Sequence, residues 1–172
     1  MVGESDFEAL VDQYYPLLYR FAFTLTSSES DACDLTQETF LIWARKGHQM
    51  RDQAKVKSWL FTTLHREFLQ KRRRITRFPQ IEITEAESEL PEIPAASPEK
   101  LDRQTILSAL SKLDETFQAA VALFYLEDHS YPEIAEILKI PLGTVKSRIS
   151  RGVAQLQNLL VKPELIAKGG AS

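Results

Sequence analysis

Hydroxyl and cationic side chains share one side of a helix that the sequence predicts over residues 142–160. At roughly 100° per residue, apolar side chains fall on the back of this helix. They are Val145, Ile149, Val153 and Leu156, and the front and flanks carry Thr144, Lys146, Ser147, Arg148, Ser150 and Arg151. Arginine pairs with guanine edges, serine and threonine with either partner of a base pair, and lysine with phosphate. This front therefore suits the major groove of DNA.

A shorter helix precedes it, and a tight turn joins the two. Residues 130–133, SYPE, fit a capping box in which Ser130 accepts from the Glu133 amide and the Glu133 side chain reaches back. Pro141 prevents the first helix from continuing past Ile140. This arrangement is typical of a helix-turn-helix and indicates DNA binding. The alternative is a solvated basic face on an ordinary helical hairpin.

Charge along the chain is concentrated in blocks, although the formal net charge is only −3. Residues 51–77 contain nine lysines and arginines against two acids, and residues 139–162 contain five against none. Residues 78–102 contain seven acids against Lys100 alone. Two basic blocks therefore flank an acidic one, and such blocks are the electrostatic footprint of nucleic-acid binding.

The chain divides into two helical blocks, so the predicted fold class is all-α, with two small helical domains. Residues 78–100 are acidic and contain four prolines, which is typical of a flexible linker. Residues 1–77 are expected to form a three- to four-helix bundle, residues 101–162 a four-helix domain with the helix-turn-helix, and residues 163–172 a disordered tail. Further helices are predicted over residues 5–26, 30–46, 54–74, 101–112 and 116–127. Pro16 either kinks the first helix or starts a second one.

The second helix presents one large aliphatic side chain on its polar side. Its apolar side carries Ala32, Leu35, Ile42 and Trp43. Its opposite side carries Asp34, Gln37, Glu38, Leu41 and Arg45. A leucine framed by carboxylates and an amide resembles a protein-contact patch. Single exposed leucines are nevertheless common, and helical spacing alone favours this ordinary explanation.

Trp59 is predicted on the outer side of the third helix, beside Thr62 and Arg66. The buried stripe of this helix is formed by Leu60, Phe61, Leu64 and Phe68. Trp59 projects about 150° from the centre of that stripe. An outward tryptophan beside arginine, on a helix that ends in four consecutive bases, suits stacking on unpaired nucleotides. Packing of Trp59 against another helix is the alternative, and the bare geometry slightly favours it.

Several function classes find no support in the sequence. No apolar run is long enough to span a bilayer, and the first residues do not resemble a secretory signal. Cys33 is the only cysteine, and with the scattered His48, His65 and His129 it forms no metal-ligand cluster. No nucleophile–base pair or phosphate-binding loop is found, and His129 beside Asp128 is expected to cap a helix start and face solvent. We therefore expect a cytoplasmic protein that is not an enzyme and uses no metal, cofactor or small-molecule substrate.

Together these features resemble bacterial RNA polymerase sigma factors of the extracytoplasmic-function (ECF) group. Residues 31–40, DACDLTQETF, are similar to the polymerase-binding motif of that family. Trp59 with Arg66 and the basic run resembles the helix that opens and reads the −10 promoter element. Residues 131–137, YPEIAEI, and 143–149, GTVKSRI, resemble the helix-turn-helix that reads the −35 element. The resemblance covers both blocks, which make up most of the molecule.

The resemblance implies a division of labour among the candidate residues. The implied polymerase-binding residues are Asp34, Gln37, Glu38, Leu41 and Arg45. The residues implied to contact −10 DNA are Trp59, Thr62, His65, Arg66, Lys71, Arg72 and Arg73. Those implied to contact −35 DNA are Thr144, Lys146, Ser147, Arg148 and Arg151. The loop at residues 47–57 is implied to hold a flipped base, and the acidic linker to run through positively charged polymerase channels.

The implied partners are core RNA polymerase and promoter DNA, both as duplex and as single strands. Binding of flipped bases lowers the free-energy cost of melting, so strand opening requires no ATP. Members of the group are commonly held inactive by an anti-sigma factor, often at the inner face of the membrane. A flexible tether between two small domains suits such a partner, and the chain is otherwise expected to be a monomer.

The sequence departs from the family pattern at four positions. Glu67 and Lys71 stand where the family usually has Asn and Asp, which leaves open which bases the third helix reads. Cys33 replaces a common Glu between the two faces of its helix, and Lys139 replaces a glycine that commonly ends the first helix of the turn.

The alternative function is a free-standing helix-turn-helix regulator whose first block serves for dimerisation or sensing. Leu41 and the Trp59 face discriminate between the two functions. A sigma factor needs Leu41 to bind polymerase and the Trp59 face to bind single-stranded DNA.

Overall fold

The computed structural model of the chain describes residues 4–47, 50–77 and 98–169. These residues form seven α-helices and one turn of 3₁₀ helix, and no strand occurs among them. The helices are α1 (Glu4–Thr26), α2 (Glu29–Lys46), α3 (Val56–Arg77), α4 (Pro98–Ser111), α5 (Glu115–Tyr125), α6 (Tyr131–Leu138) and α7 (Leu142–Gly169), with the 3₁₀ turn at Gln53–Lys55. The all-α class predicted from the sequence is confirmed.

Two helix boundaries differ from the sequence prediction. The helix α4 begins at Pro98, so the last three residues of the predicted linker, 98–100, are helical, and residues 78–97 lie outside the described part of the chain. The helix α7 continues to Gly169, so residues 163–169, predicted to belong to a disordered tail, are helical as well.

The helix α1 is continuous although it contains Pro16. Of the two alternatives expected at Pro16, a kink or the start of a second helix, the second is therefore wrong. An interior proline costs about 3 kcal/mol because it removes a donor and crowds the preceding turn. Leu18 and Phe21 follow directly and are fully buried. Burial of each such side chain contributes about 1.5–3 kcal/mol, which offsets the cost of the proline.

Polar caps determine where several helices begin. The Ser28 hydroxyl accepts from the Asp31 amide at 3.3 Å, and the Ser130 hydroxyl accepts from the Glu133 amide at 3.3 Å. The first half of the predicted capping box is thus confirmed. Its second half is wrong, because the Glu133 carboxylate lies 2.9 Å from Nδ1 of His129 instead of reaching the Ser130 amide.

The turn of the helix-turn-helix depends on Lys139. This residue ends α6 in the left-handed conformation, with φ 55° and ψ 50°, and its amide donates to the Ala135 carbonyl. A left-handed residue costs about 1–2 kcal/mol when it is not glycine. Lys139 therefore adopts the conformation that a glycine commonly adopts at a helix end.

The two helical blocks pack against each other. The helix α1 lies against α5, and α3 lies against α6. Buried residues of both blocks, among them Phe21, Phe61, Leu123 and Ile134, belong to one apolar cluster, and a smaller cluster lies beneath α4. The predicted buried stripe of α3 is confirmed, since three of its members are fully buried and Phe68 is partly buried.

The helix α7 approaches α5 closely at Gly152. A Cβ atom at this position would lie 2.4 Å from Cγ2 of Val121 and 3.0 Å from Cβ of Phe117. The absence of a side chain is therefore what allows these two helices to pack at this distance.

We expect Gly152→Ala to lower the free energy of unfolding by about 1–3 kcal/mol, because the added methyl group overpacks the contact with α5. Gly143→Ala is the matched control, since a Cβ atom there meets nothing within 4 Å. It should be neutral or stabilise the protein by about 0.5–1 kcal/mol. Urea unfolding followed by circular dichroism measures both variants, and equal effects would contradict the close approach.

Candidate polymerase and DNA interfaces

The polar face of α2 exposes Leu41, of which 52% is accessible to solvent. Around it, Asp34, Gln37 and Arg45 are exposed and Glu38 is partly buried. The structure therefore places the five predicted polymerase-binding residues on one accessible face, in agreement with their helical spacing.

The opposite side of α2 anchors this face to the core. Leu35, Phe40 and Trp43 are buried there. Gly47 ends α2 with a right-handed φ of −64°, so its backbone conformation does not require glycine. A Cβ atom on Gly47 would instead lie 2.4 Å from the Trp43 ring, and the close approach of chain and indole is the reason for glycine.

Trp59 packs against Trp43. The ring centroids lie 5.2 Å apart with an interplanar angle of 73°, and Trp59 is partly buried. The alternative that the bare geometry slightly favoured, packing of Trp59 against another helix, is therefore the one found: the indole joins α3 to α2 and leaves only part of its surface accessible. An edge-to-face pair contributes about 0.5–1.5 kcal/mol beyond the area that it buries. Thr62 beside it donates its hydroxyl to the Ser58 carbonyl at 2.7 Å.

The positive charge of Arg148 acts on the pKa of His65, although the resemblance assigns these residues to different DNA elements. Burial, and in second place the positive charge of Arg148, lower the pKa of His65 to about 4. The imidazole is therefore neutral at physiological pH and carries no charge toward a phosphate.

The basic end of α3 is accessible but not free of acidic partners. Arg73 is exposed and Lys71 is partly buried. Nε of Arg66 lies 3.8 Å from the Glu67 carboxylate, and Arg72 pairs with Glu115 at the start of α5. Exposed pairs of this kind contribute about 0–1 kcal/mol, so DNA phosphates can replace them.

The helix α7 has the predicted apolar back and polar front. Val145 and Ile149 are buried, at 0% and 4% exposure. On the front, Lys146, Ser147 and Arg151 are exposed, whereas Thr144 and Arg148 are partly buried. Within the described residues, the three cations of this front form no ion pair.

Sequence reasoning missed Glu127, which lies between the two blocks. Its side chain is fully buried, and Arg20 donates to it from Nε at 2.8 Å and from Nη2 at 3.1 Å. Arg20 also donates to the Leu126 carbonyl at 2.9 Å, and Lys57 donates to the Glu127 carbonyl at 2.6 Å. Burial raises the pKa of Glu127, and the Arg20 guanidinium opposes that rise.

His129 is buried, so the expectation that it faces solvent is wrong. Its ring lies 4.8 Å from that of Phe61 at an angle of 74°, and Glu133 binds its Nδ1. Burial lowers the pKa of His129, and the hydrogen bond that its Nδ1 donates to the Glu133 carboxylate opposes that change. Asp128 lies between the two buried residues and has a left-handed φ of 56°. Only the preference of Asp for this conformation hints at such a turn in the sequence.

Metal and membrane sites find no support in the described ranges. No group of three histidine, cysteine, aspartate or glutamate side chains there is placed to hold a metal ion. None of the described helices combines the length and the apolar character needed to cross a membrane. Cys33 is partly buried, with its Sγ atom 4.0 Å from the Tyr15 hydroxyl.

Comparisons with known proteins identify the family. The models "Sigma-70 region 2" and "Sigma-70, region 4" match residues 10–78 and 103–156. The ECF RNA polymerase sigma factor SigL of Mycobacterium tuberculosis is 34% identical over 154 residues, which cover 87% of this chain and 85% of SigL. The chain belongs to the ECF group of sigma factors. The resemblance inferred from the sequence is thereby confirmed, and the two matched segments are called region 2 and region 4 below.

Two further relatives define how far the similarity extends. The ECF RNA polymerase sigma factor SigE of Mycolicibacterium smegmatis is 37% identical over 161 residues, which cover 90% of this chain but only 62% of SigE. The solved structure of the sigma factor RpoE from Bartonella quintana, in complex with the anti-sigma factor NepR, superposes with a TM-score of 0.76 at 32% identity. That match covers 90% of this chain and 96% of RpoE, so the helical arrangement is shared over both regions.

The lowered pKa of the partly buried His65 makes stability depend on pH. Its pKa is about 4 in the folded protein and 6.5 when unperturbed, so the folded protein binds fewer protons between these values. The free energy of unfolding should therefore fall as the pH falls from 6.5 toward 4. His65→Gln should reduce this decrease, measured by urea unfolding at pH 7 and pH 5. Between pH 8 and pH 7 both proteins should change alike. An unaltered decrease in stability toward pH 5 in the variant would contradict the lowered pKa of His65.

Proposed function

We propose that this chain is a dissociable initiation subunit of RNA polymerase that acts in the cytoplasm without a catalytic step or cofactor. Region 2 binds core polymerase and the −10 element, and region 4 binds the −35 element. The observation that carries the proposal is the presence of two accessible surfaces in one ECF sigma factor: the Leu41 face of α2 and the front of α7.

The Leu41 face is suited to protein contact. An accessible leucine framed by carboxylates, an amide and a guanidinium provides an apolar centre with a polar rim, the usual anatomy of an energetic hot spot. The buried side of α2 holds this face rigid, so little conformational entropy is lost on binding. We assign Asp34, Gln37, Glu38, Leu41 and Arg45 to the contact with core polymerase.

The front of α7 is suited to duplex DNA. Its accessible cations and hydroxyls stand on the second helix of a helix-turn-helix, whose N-terminal turns enter the major groove. We assign Thr144, Lys146, Ser147, Arg148 and Arg151 to the −35 element. Since Thr144 and Arg148 are partly buried, the exposed Lys146, Ser147 and Arg151 are expected to make first contact.

The assignment of α3 to the −10 element is electrostatic in the first place. Lys71, Arg72 and Arg73 supply phosphate contacts, whose contribution is independent of sequence. The same helix also carries Trp59, Thr62, His65 and Arg66. The accessible part of the Trp59 ring is available for stacking on an unpaired base. Binding of unpaired bases then supplies the free energy of strand opening.

An anti-sigma factor is proposed as the regulatory partner. The sigma factor RpoE was solved with the anti-sigma factor NepR, and CnrH, which superposes with a TM-score of 0.64 at 25% identity, with the cytosolic domain of CnrY. A comparable partner of this chain would bind the same arrangement of the two regions. Pull-down from cells grown under varied conditions tests this, and recovery of core polymerase alone throughout would contradict it.

Leu41→Ala together with Glu38→Ala is expected to abolish co-purification with core polymerase. Loss of a hot-spot residue costs about 2 kcal/mol or more, which corresponds to roughly thirtyfold in affinity. The matched control is Ile106→Ala with Glu8→Ala, which also removes one accessible apolar side chain and one carboxylate, but outside α2. Normal binding of core by the first pair would disprove the assignment of the α2 face.

Run-off transcription with purified core polymerase on a library of randomised promoters tests the function as a whole. Transcripts should arise only when the chain is added, and the selected promoters should share two separated elements. A free-standing regulator would instead bind its DNA without polymerase and would leave transcription by the core enzyme alone unchanged.

A further inference from the structure

The helix α7 begins with a leucine that the rest of the protein does not cover. Leu142 is the first residue of α7, and 42% of it is accessible to solvent. It is the only residue of the first turn with an exposed side chain, since Gly143 has no side chain, Thr144 is partly buried and Val145 is fully buried. Leu142 belongs to neither of the two apolar clusters that the described residues form. Packing within the protein therefore does not explain a leucine at this position.

Positive charge surrounds Leu142. The exposed Lys146 follows it by four residues, which places the two side chains beside each other on the helix, with about 5–6 Å between their Cβ atoms. Residues 139–162 contain five lysines and arginines and no acid. The grooves of DNA are bordered by phosphates on both sides, so this basic surface is complementary to DNA. Charge complementarity thus selects DNA as the molecule that covers Leu142.

The major groove offers one apolar group to such a side chain. Thymine presents its 5-methyl group there, whereas the other three bases present only hydrogen-bond donors and acceptors. In helix-turn-helix proteins, the N-terminal residues of the second helix contact the base edges. The other exposed side chains of the α7 front, Lys146, Ser147 and Arg151, end in polar groups. Leu142 is therefore the exposed side chain of this front that fits a methyl group.

We propose that Leu142 is a specificity-determining residue that recognises the methyl group of one thymine in the −35 element. The proposal rests on the assignment of α7 to that element. Phosphate contacts hold α7 in the groove but carry no sequence information. The contact of Leu142 adds such information, so the −35 element contains an A·T pair opposite the first turn of α7.

The contact can be removed from either side. Loss of one methyl group from the DNA should lower affinity about fourfold, since a buried group of that size contributes correspondingly to binding. Leu142→Ala removes the protein side. Because the leucine is exposed, this variant should unfold at the same urea concentration as the unaltered chain, which separates a lost contact from a lost fold.

Deoxyuridine tests the contact directly, because it differs from thymidine only in lacking the 5-methyl group. Each thymine of the −35 element of a selected promoter is replaced in turn, on both strands. The affinity of the chain assembled with core polymerase is then measured at one fixed salt concentration. For the unaltered chain, one replacement should lower affinity about fourfold. Leu142→Ala should bind the unmodified promoter more weakly by a similar factor or more, and the same replacement should then have no further effect.

Two further variants serve as controls. Leu142→Met keeps an apolar side chain of similar volume and should retain the dependence on the methyl group. Ile106→Ala shortens another exposed aliphatic side chain of region 4, outside the helix-turn-helix, and should behave like the unaltered chain.

Three results would overturn the inference. They are the absence of any methyl dependence in the unaltered chain, normal binding of every template by Leu142→Ala, and a methyl dependence that persists in full in Leu142→Ala. Failure of the unaltered chain and core polymerase to bind the selected promoter at all would instead contradict the proposed function.

Discussion

The ion pair of the partly buried Arg20 with the buried Glu127 is the contact on which the arrangement of this sigma factor depends. Arg20 stands on α1 and Glu127 in the connection between α5 and α6, so the pair joins helices that are far apart in the sequence. An unpaired buried charge costs several kcal/mol, so the docking geometry must satisfy both groups at once. Apolar packing of α1 on α5 and of α3 on α6 buries the surface that joins the two regions. The ion pair determines how the two regions are aligned.

One distribution of charge suits both the binding of DNA phosphates and the docking of region 4 on region 2. The cations that suit DNA phosphates lie on region 2 and on the front of α7, and region 4 presents carboxylates toward region 2. In the absence of DNA, these carboxylates partly neutralise the basic surface. Local basic surfaces and the acidic groups that cover part of them therefore add up to a net charge of only −3.

Helical periodicity predicted the features that depend on one helix alone. The back and front of α7, the exposed Leu41 and the buried stripe of α3 follow from spacing, because each is a property of a single helix. Contacts between helices were not predictable in the same way. Spacing left Trp59 open between stacking on nucleotides and packing on another helix, because nothing in it identifies Trp43 as the neighbour. His129 was assigned to solvent because a loop residue carries no periodicity.

The most direct measurement is permanganate footprinting of a selected promoter in the presence of core polymerase and this chain. Permanganate oxidises thymines that are no longer stacked in duplex DNA. If binding of unpaired bases by region 2 opens the strands, thymines of the −10 element should become reactive without ATP, while those of the −35 element stay protected. A stable complex of polymerase, chain and promoter in which no thymine reacts would contradict strand opening by this protein.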